Sequence, residues 1–223
     1  MRSSMNISKR LRHRLVWHHL SLALVCAFCL PLLTIGLLDG TAMFRWSMAT
    51  AYMALALLAI TLCIGPWHVL SSRRSPLSMD LRRDFGIWAG LLSLAHVAIG
   101  LQVHLGSMVL YFFVKAANGQ WALRVDPFGL TNWVGLLAAL VFVLLLALSN
   151  DWSLRRVGRA RWKTLQRFVY PAAMLVVLHG AVYEVLEKRN PGWVLVFIST
   201  VMLVVLVQCL GFRRLRTQLP PSA

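Results

Sequence analysis

Charged residues are scarce in this 223-residue chain: Asp, Glu, Lys and Arg make up 13% of it, and only seven are acidic. Soluble proteins average about 25% charged residues, so the composition is atypical of a soluble domain. The hydrophobic share is 59%, too high for a disordered chain. The composition therefore favours a protein embedded in a membrane.

The absence of three further sequence features narrows the possible cofactor domains and spanning elements. The four cysteines, Cys26, Cys29, Cys63 and Cys209, all lie in apolar runs, where a thiol behaves as a small hydrophobic group and not as a redox centre. The chain lacks the glycine-rich strand-to-helix turn of nucleotide-binding proteins and the two-residue alternation of membrane β-barrels. We therefore expect no flavin or pyridine-nucleotide domain, and α-helices as the spanning elements.

Six apolar segments follow one another along the chain, each close to the roughly 20 residues that a helix needs to span a bilayer. They are residues 17–38, 48–70, 85–106, 128–149, 165–186 and 193–212. We predict an all-α polytopic membrane protein, a bundle of six transmembrane helices over 17–212. A basic N-terminal segment (1–16) precedes it, and a C-terminal tail (213–223) follows.

Basic residues are unevenly distributed over the connections. Seventeen of the 23 lie in the N-terminal segment, the second and fourth connections and the C-terminal tail. The positive-inside rule then places both termini in the cytoplasm, and we expect a multi-pass protein of the bacterial inner membrane. A net charge of +16 would suggest nucleic acid for a soluble protein. Here the charges flank apolar blocks, so we expect membrane lipid and no nucleic acid as a partner.

Three histidines lie deep inside predicted spans, where ionisable groups usually face the bundle interior and mark a pathway or a cofactor. His96 is 13 residues beyond Arg83, and His179 is 16 beyond Lys163, which correspond to about 20 and 24 Å along their helices. The two imidazoles are thus predicted at one level. They could bind one haem iron from opposite sides, relay protons, or form hydrogen bonds between helices.

The third deep histidine, His104, lies about 12 Å beyond His96 on the same predicted helix and is turned about 80° away. We predict it near the outer mouth, as an interhelical hydrogen-bonding group, a partner of haem propionates or part of an outer site. The connection 107–127 contains an apolar stretch too short to span. It is interpreted as an interfacial helix, as a cap over a buried site, or as a docking surface.

Arginines 82–83 and those between residues 155 and 163 have two interpretations. They set the topology and contact anionic lipid, or they bind haem propionates or a cytoplasmic electron donor. Arg83 is the candidate cofactor-binding residue among them.

Two stretches resemble a known family. LRRDFGIWAGLLSLAH (81–96) and GRARWKTLQRFVYPAAMLVVLH (158–179) are similar to the ferric reductase-like transmembrane domain family. Within it, they are closest to MsrQ (also YedZ), the haem-binding membrane subunits of periplasmic methionine sulfoxide reductase systems. The resemblance covers most of the chain.

The resemblance implies that His96 and His179 are axial ligands of a b-type haem. It also implies an electron-transfer subunit that serves a periplasmic molybdopterin-containing reductase and is not a complete enzyme. Gln166 stands where the family pattern has a histidine linked to a second, inner haem, so we expect one haem. A quinol is then an easier electron donor than a cytoplasmic flavin reductase. The alternatives are a stand-alone ferric reductase and a cofactor-free transporter or assembly factor that uses the histidines as a proton relay.

Overall fold

The computed structural model describes residues 14–37, 39–71 and 76–218. Within them, the helices are α1 (Leu20–Leu32), α2 (Ala42–Leu70), α3 (Pro76–Gly100), α4 (Pro127–Leu148), α5 (Asp151–Val157), α6 (Arg159–Gln166), α7 (Val169–Leu186) and α8 (Pro191–Gln218). π-helical turns extend α1 at both ends (Arg14–His19 and Leu33–Leu37). Most of the predicted basic segment 1–16, and the last five residues of the predicted tail, lie outside the described residues.

Five helical stretches in the described part of the chain are long and apolar enough to cross a membrane. They are Val16–Gly36, Ala42–Leu70, Pro127–Leu148, Arg159–Leu186 and Pro191–Thr217. The chain is therefore a helical multi-pass membrane protein, as predicted. The predicted third span, α3, is not among the five, because charged residues (Arg82, Arg83 and Asp84 among them) occupy its first half. Six spans and two cytoplasmic termini remain predictions.

The third predicted segment is also shorter than expected. It was predicted to extend to residue 106, but α3 ends at Gly100 and turns follow it. The hydroxyl of Tyr111 donates to the Gly100 carbonyl at 3.0 Å and accepts from the His104 N–H group at 2.8 Å. In a longer helix these two backbone groups would be hydrogen-bonded to each other. The N–H groups of Gln102 and Val103 already donate to carbonyls three residues back, so the helix ends before His104. The prediction of His104 on the same helix as His96 is therefore wrong.

The connection after α3 folds into a compact cap at one end of the bundle, which we call the hairpin end. A 3₁₀ turn (Met108–Tyr111) leads into β1 (Phe113–Lys115), which pairs antiparallel with β2 (Trp121–Leu123). Gly119 closes the turn with φ +77°, a conformation that favours glycine. The short hairpin replaces the interfacial helix that was one expectation for this loop. Strands of three residues are too short to show an alternating pattern in the sequence.

The bundle is organised around α2, which packs against α3 and α8, while α4 packs against α7 and α3. Leu57, Leu58 and Leu62 of α2 meet Leu92 of α3 and Phe142 of α4 in the core. Large apolar side chains cover the outside, for example on α7 and α8. Such a surface is suited to contact with lipid chains rather than water.

The opposite end of the bundle, here called the basic end, holds a buried carboxylate. Asp84 is fully buried, with its Oδ2 atom 2.7 Å from His18 Nδ1 and its Oδ1 atom 3.3 Å from His19 Nε2. Trp88 Nε1 donates to His19 Nδ1 at 3.1 Å. The two histidines thus connect the π-helical turn before α1 to α3.

Candidate cofactor site

A cavity lies between α2, α3, α4, α7 and α8, and residues of the loop after α3 also line it. Its volume is about 180 Å³, taken as the space open to the centres of water-sized spheres, and part of it is open to the surroundings. Both deep histidines, His96 and His179, line it, together with His104. The structure therefore brings three histidines singled out in the sequence to one cavity.

The His96 and His179 rings lie close to each other in the wall of this cavity. Their centres are 6.4 Å apart and their planes are inclined by 74°. A metal–imidazole bond is about 2 Å long, so two rings on opposite sides of one iron have their centres about 6 Å apart. The observed separation thus fits a pair of axial ligands.

Hydrogen bonding fixes the orientation of the His96 ring. Its Nδ1 atom lies 2.9 Å from the backbone carbonyl of Ser47 on α2, and 3.2 Å from the hydroxyl of the same residue. A carbonyl oxygen can only accept, so Nδ1 carries the proton. The Nε2 atom of the neutral ring then keeps a free lone pair, which is the form that binds a metal.

His179 is held in the same way by another helix. Its Nδ1 atom donates to the Thr131 carbonyl of α4 at 2.8 Å. Gly135, one helical turn further along α4, permits this approach: a Cβ atom there would lie 2.7 Å from Nδ1 of His179. The bare helix face at Gly135 thus lets the imidazole reach a backbone carbonyl.

The cavity is apolar on one side of the histidine pair and polar on the other. Towards the basic end it is lined by Leu55, Leu58, Phe142 and Val176. Towards the hairpin end the lining includes polar side chains: His104, Tyr111, Asn132, Tyr183, Glu184 and Arg189. The cavity therefore suits a flat apolar ligand that carries its charged groups on one edge.

His104 lines the polar half of the cavity. Its Nε2 atom is 3.6 Å from Glu187 Oε1, and its ring stacks on Tyr183 with 6.4 Å between centres. It reaches this place from the loop and not from α3. Tyr111 and Phe112 of the same loop also line the cavity. This geometry agrees with the alternative in which the loop caps a buried site.

Arg83 and Gln166 lie outside the lining of this cavity. The Arg83 guanidinium donates to the Ser149 carbonyl at 2.8 Å and to Asp151 at 2.8 Å, and so binds α3 to the turn after α4. Its contacts are structural in this arrangement, so the structure does not bring it to the histidine pair. Gln166 ends α6, and its buried Nε2 atom has no hydrogen-bond partner among the described residues.

Four residues of the site were not singled out in the sequence: Arg189, Tyr183, Asn132 and Gly135. The Tyr183 hydroxyl donates to Asn132 Oδ1 at 3.0 Å, which joins α7 to α4 beside His179. The four-residue spacing of Tyr183 from His179 places both on one helix face and could have indicated it. Nothing in the sequence marks Gly135, because its role depends on which helix packs opposite.

With several apolar spans and two neighbouring imidazoles in one cavity, the chain falls into the class of helical membrane proteins that can hold a cofactor between helices. Comparison with known proteins makes this specific. The chain is 38% identical over 174 residues to the heme-binding subunit MsrQ of protein-methionine-sulfoxide reductase from Rhodospirillum rubrum, an alignment that covers 74% of this chain and 79% of that protein. It is 30% identical to MsrQ of Cronobacter sakazakii (72% and 77% covered) and 26% identical to MsrQ of Agrobacterium fabrum (72% and 83% covered).

The chain therefore belongs to the MsrQ family. No family model matches it.

Proposed function

We propose that the chain binds one haem b between His96 and His179 and relays electrons through it to a separate reductase. The observation that carries this proposal is the pair of rings 6.4 Å apart, each with Nδ1 donating to a backbone carbonyl. When bound, haem supplies a one-electron iron couple whose potential is set by its axial ligands and surroundings. The protein holds, orients and insulates that couple.

The two imidazoles favour a metal that is already bound by most of its ligands within a cofactor. Among the described residues, no group of three or more His, Cys, Asp or Glu side chains is arranged to hold a metal ion. Two imidazoles alone would leave most positions of an iron ion unfilled. A porphyrin provides four nitrogens in a plane, and its apolar body suits the Leu, Val and Phe side chains of the inner half of the cavity.

The hairpin end is the proposed exit for electrons. By the distribution of basic residues this end faces the periplasm, and the family name of the relatives implies a partner reductase. We propose that this partner is a periplasmic molybdopterin-containing methionine sulfoxide reductase. The loop that supplies Tyr111 and Phe112 lies between the cavity and this side, so the acceptor would dock there.

The electron donor is proposed to be a quinol, with a cytoplasmic flavin reductase as the alternative. Gln166 offers an amide, a poor iron ligand, where the family resemblance places the histidine of an inner haem. With a single haem near the hairpin end, a donor that diffuses within the membrane approaches more closely than a soluble one. The stoichiometry of haem per purified chain tests this directly: one supports the argument, and two would overturn it.

The ligand assignment is tested by absorption spectra of purified protein, oxidised and reduced with dithionite. We expect a low-spin b-type spectrum for the wild type and its loss in His96→Ala and His179→Ala, because each variant removes one of two axial bonds. His104→Ala is the matched control, since its imidazole lines the same cavity but is not a proposed ligand. A normal low-spin spectrum in either ligand variant would contradict the proposal.

A further inference from the structure

We infer that Arg189 binds the carboxylate groups of the cofactor and so directs the propionate edge of the haem towards the hairpin end. This inference rests on the proposed haem site and adds the residue that fixes how the haem is turned within it. Arg189 follows α7 in the chain and was not singled out in the sequence.

The Arg189 guanidinium lies in the cavity wall, where it has few hydrogen-bonding or ionic partners. The group lines the cavity wall, contacts the Met48 sulfur, and lies 5.3 Å from the centre of the Phe44 ring. Among the described residues, no carboxylate lies within 4.0 Å of it. A thioether is a weak acceptor, whereas a guanidinium has five N–H donors. An arginine that is half-buried without an anion is costly, and a carboxylate ligand would satisfy it.

The backbone places this side chain over the cavity through a turn of unusual geometry. The N–H groups of Lys188 and Arg189 donate to the carbonyls of Val185 and Glu184, which ends α7 in a Schellman turn. Lys188 occupies the left-handed position of this turn with φ 45°, where glycine is usual. The chain therefore reverses immediately after α7, and Arg189 points back to Met48 on α2.

Met48 is adjacent to Ser47, whose carbonyl orients His96. The guanidinium is thus close to the level of the histidine pair, on the polar side of the cavity. Glu184 lines the same side, but its Oε1 atom accepts from the Tyr52 hydroxyl at 3.0 Å, and it forms no ion pair with Arg189. Among the described residues that line the cavity, Arg189 is the one arginine or lysine, so its guanidinium is available to an anionic edge of a ligand. Arg–carboxylate pairs form paired, directional hydrogen bonds.

The test compares haem b with its dimethyl ester, in which both propionates are neutral. Apoprotein from a haem-deficient host is titrated with each compound in detergent. We expect the wild type to bind haem b at least tenfold more tightly than the ester, and Arg189→Met to reduce this preference to less than threefold. Lys188→Met is the matched control: it removes the neighbouring cation, which does not line the cavity, and it should keep the preference.

A second readout is the midpoint potential of the bound haem. Loss of a cation beside the iron favours the ferric state, so Arg189→Met should shift the ferric/ferrous equilibrium about tenfold, a fall of about 59 mV for one electron. Arg189→Lys retains the charge and should keep the potential near that of the wild type. An unchanged potential together with an unchanged preference in Arg189→Met would overturn the inference.

The outcomes separate this inference from the proposed function. If the wild type binds neither compound, the haem proposal itself fails. If the wild type binds both equally and shows a normal low-spin spectrum, the haem site stands and the role of Arg189 is refuted. This refuting outcome needs only the wild-type protein, so the inference can still be overturned if the arginine variants do not accumulate.

Discussion

Replacing Gly135 with alanine is the sharpest test of how the site is built, because it adds one methyl group beside one ligand. The new Cβ atom would lie 2.7 Å from His179 Nδ1 and 2.8 Å from its Cε1 atom. Ordinary contact begins near 3.4 Å, so the ring must retreat by roughly 0.7 Å. Metal–ligand distances normally lie within about 0.2 Å of their standard values, so a displacement of this size would disturb a bond from His179 to a bound iron.

The cost can be estimated from the contacts that are lost. Moving the ring breaks the 2.8 Å hydrogen bond to the Thr131 carbonyl, worth about 1 kcal/mol, and a strained side-chain rotamer costs about as much again. The sum of about 2 kcal/mol corresponds to a loss of haem affinity between 10- and 100-fold, since 1.4 kcal/mol is a factor of about ten. Losses of this size are typical when the groups that orient a metal ligand are disturbed.

Haem titration of the purified variant, followed by its absorption spectrum, measures this effect. Gly86→Ala on α3 is the matched control, because a Cβ atom there meets Thr61 at an ordinary 3.4 Å. It should keep the haem affinity and gain stability of up to about 1 kcal/mol from the better helix propensity of alanine. Wild-type affinity and spectrum in a folded Gly135→Ala protein would refute the geometry described for His179.

Two further predictions concern the ends of the bundle. Arg83→Met should lower the free energy of unfolding by about 1 to 2 kcal/mol, because it removes the hydrogen bonds to Ser149 and Asp151. The haem content should stay at the wild-type value. Loss of haem with unchanged stability would contradict the structural role. Asp126 caps α4 by accepting from the Gly129 N–H group at 2.7 Å, and this bond, with the Arg124 guanidinium, lowers the pKa of the carboxyl below its ordinary value of 3.8. Its stabilisation is therefore present above pH 4 and lost as the pH falls through the lowered pKa. Asp126→Ala should cost about 1 kcal/mol at pH 7, with a difference from wild type in thermal unfolding that narrows towards pH 3; a difference independent of pH would contradict the capping role.

The sequence was enough to predict His96 and His179 at one level, because the rise of a helix per residue sets the depth of each residue in the membrane. Two helices that start at the same membrane surface bring residues at similar distances from that surface to similar levels. Five of the six apolar segments were equally accessible, since their length is imposed by the bilayer. Depth, however, does not determine which way a side chain faces, so the separation of 6.4 Å between the two rings required the structure.

Arg189 and Arg83 show what could not be predicted. The place of Arg189 depends on a left-handed turn at Lys188, a residue type that carries no turn signal, and on a contact with α2, 141 residues away in sequence. Arg83 was a reasonable candidate because of its position at the start of a span, but its partners lie across the bundle at Ser149 and Asp151. Both outcomes depend on tertiary contacts, which local patterns do not encode.

The hydrogen-bond acceptors that orient the two imidazole rings are the main-chain carbonyl oxygens of Ser47 and Thr131. Every amino acid carries such an oxygen, so an exchange of side chain at either position leaves the acceptor in place. The orientation of the two histidine rings should therefore tolerate side-chain substitutions at Ser47 and Thr131. It depends instead on the positions of the helices that carry these two residues. Damage to this site should therefore arise more readily from bulky changes between helices, as at Gly135, than from loss of a polar group.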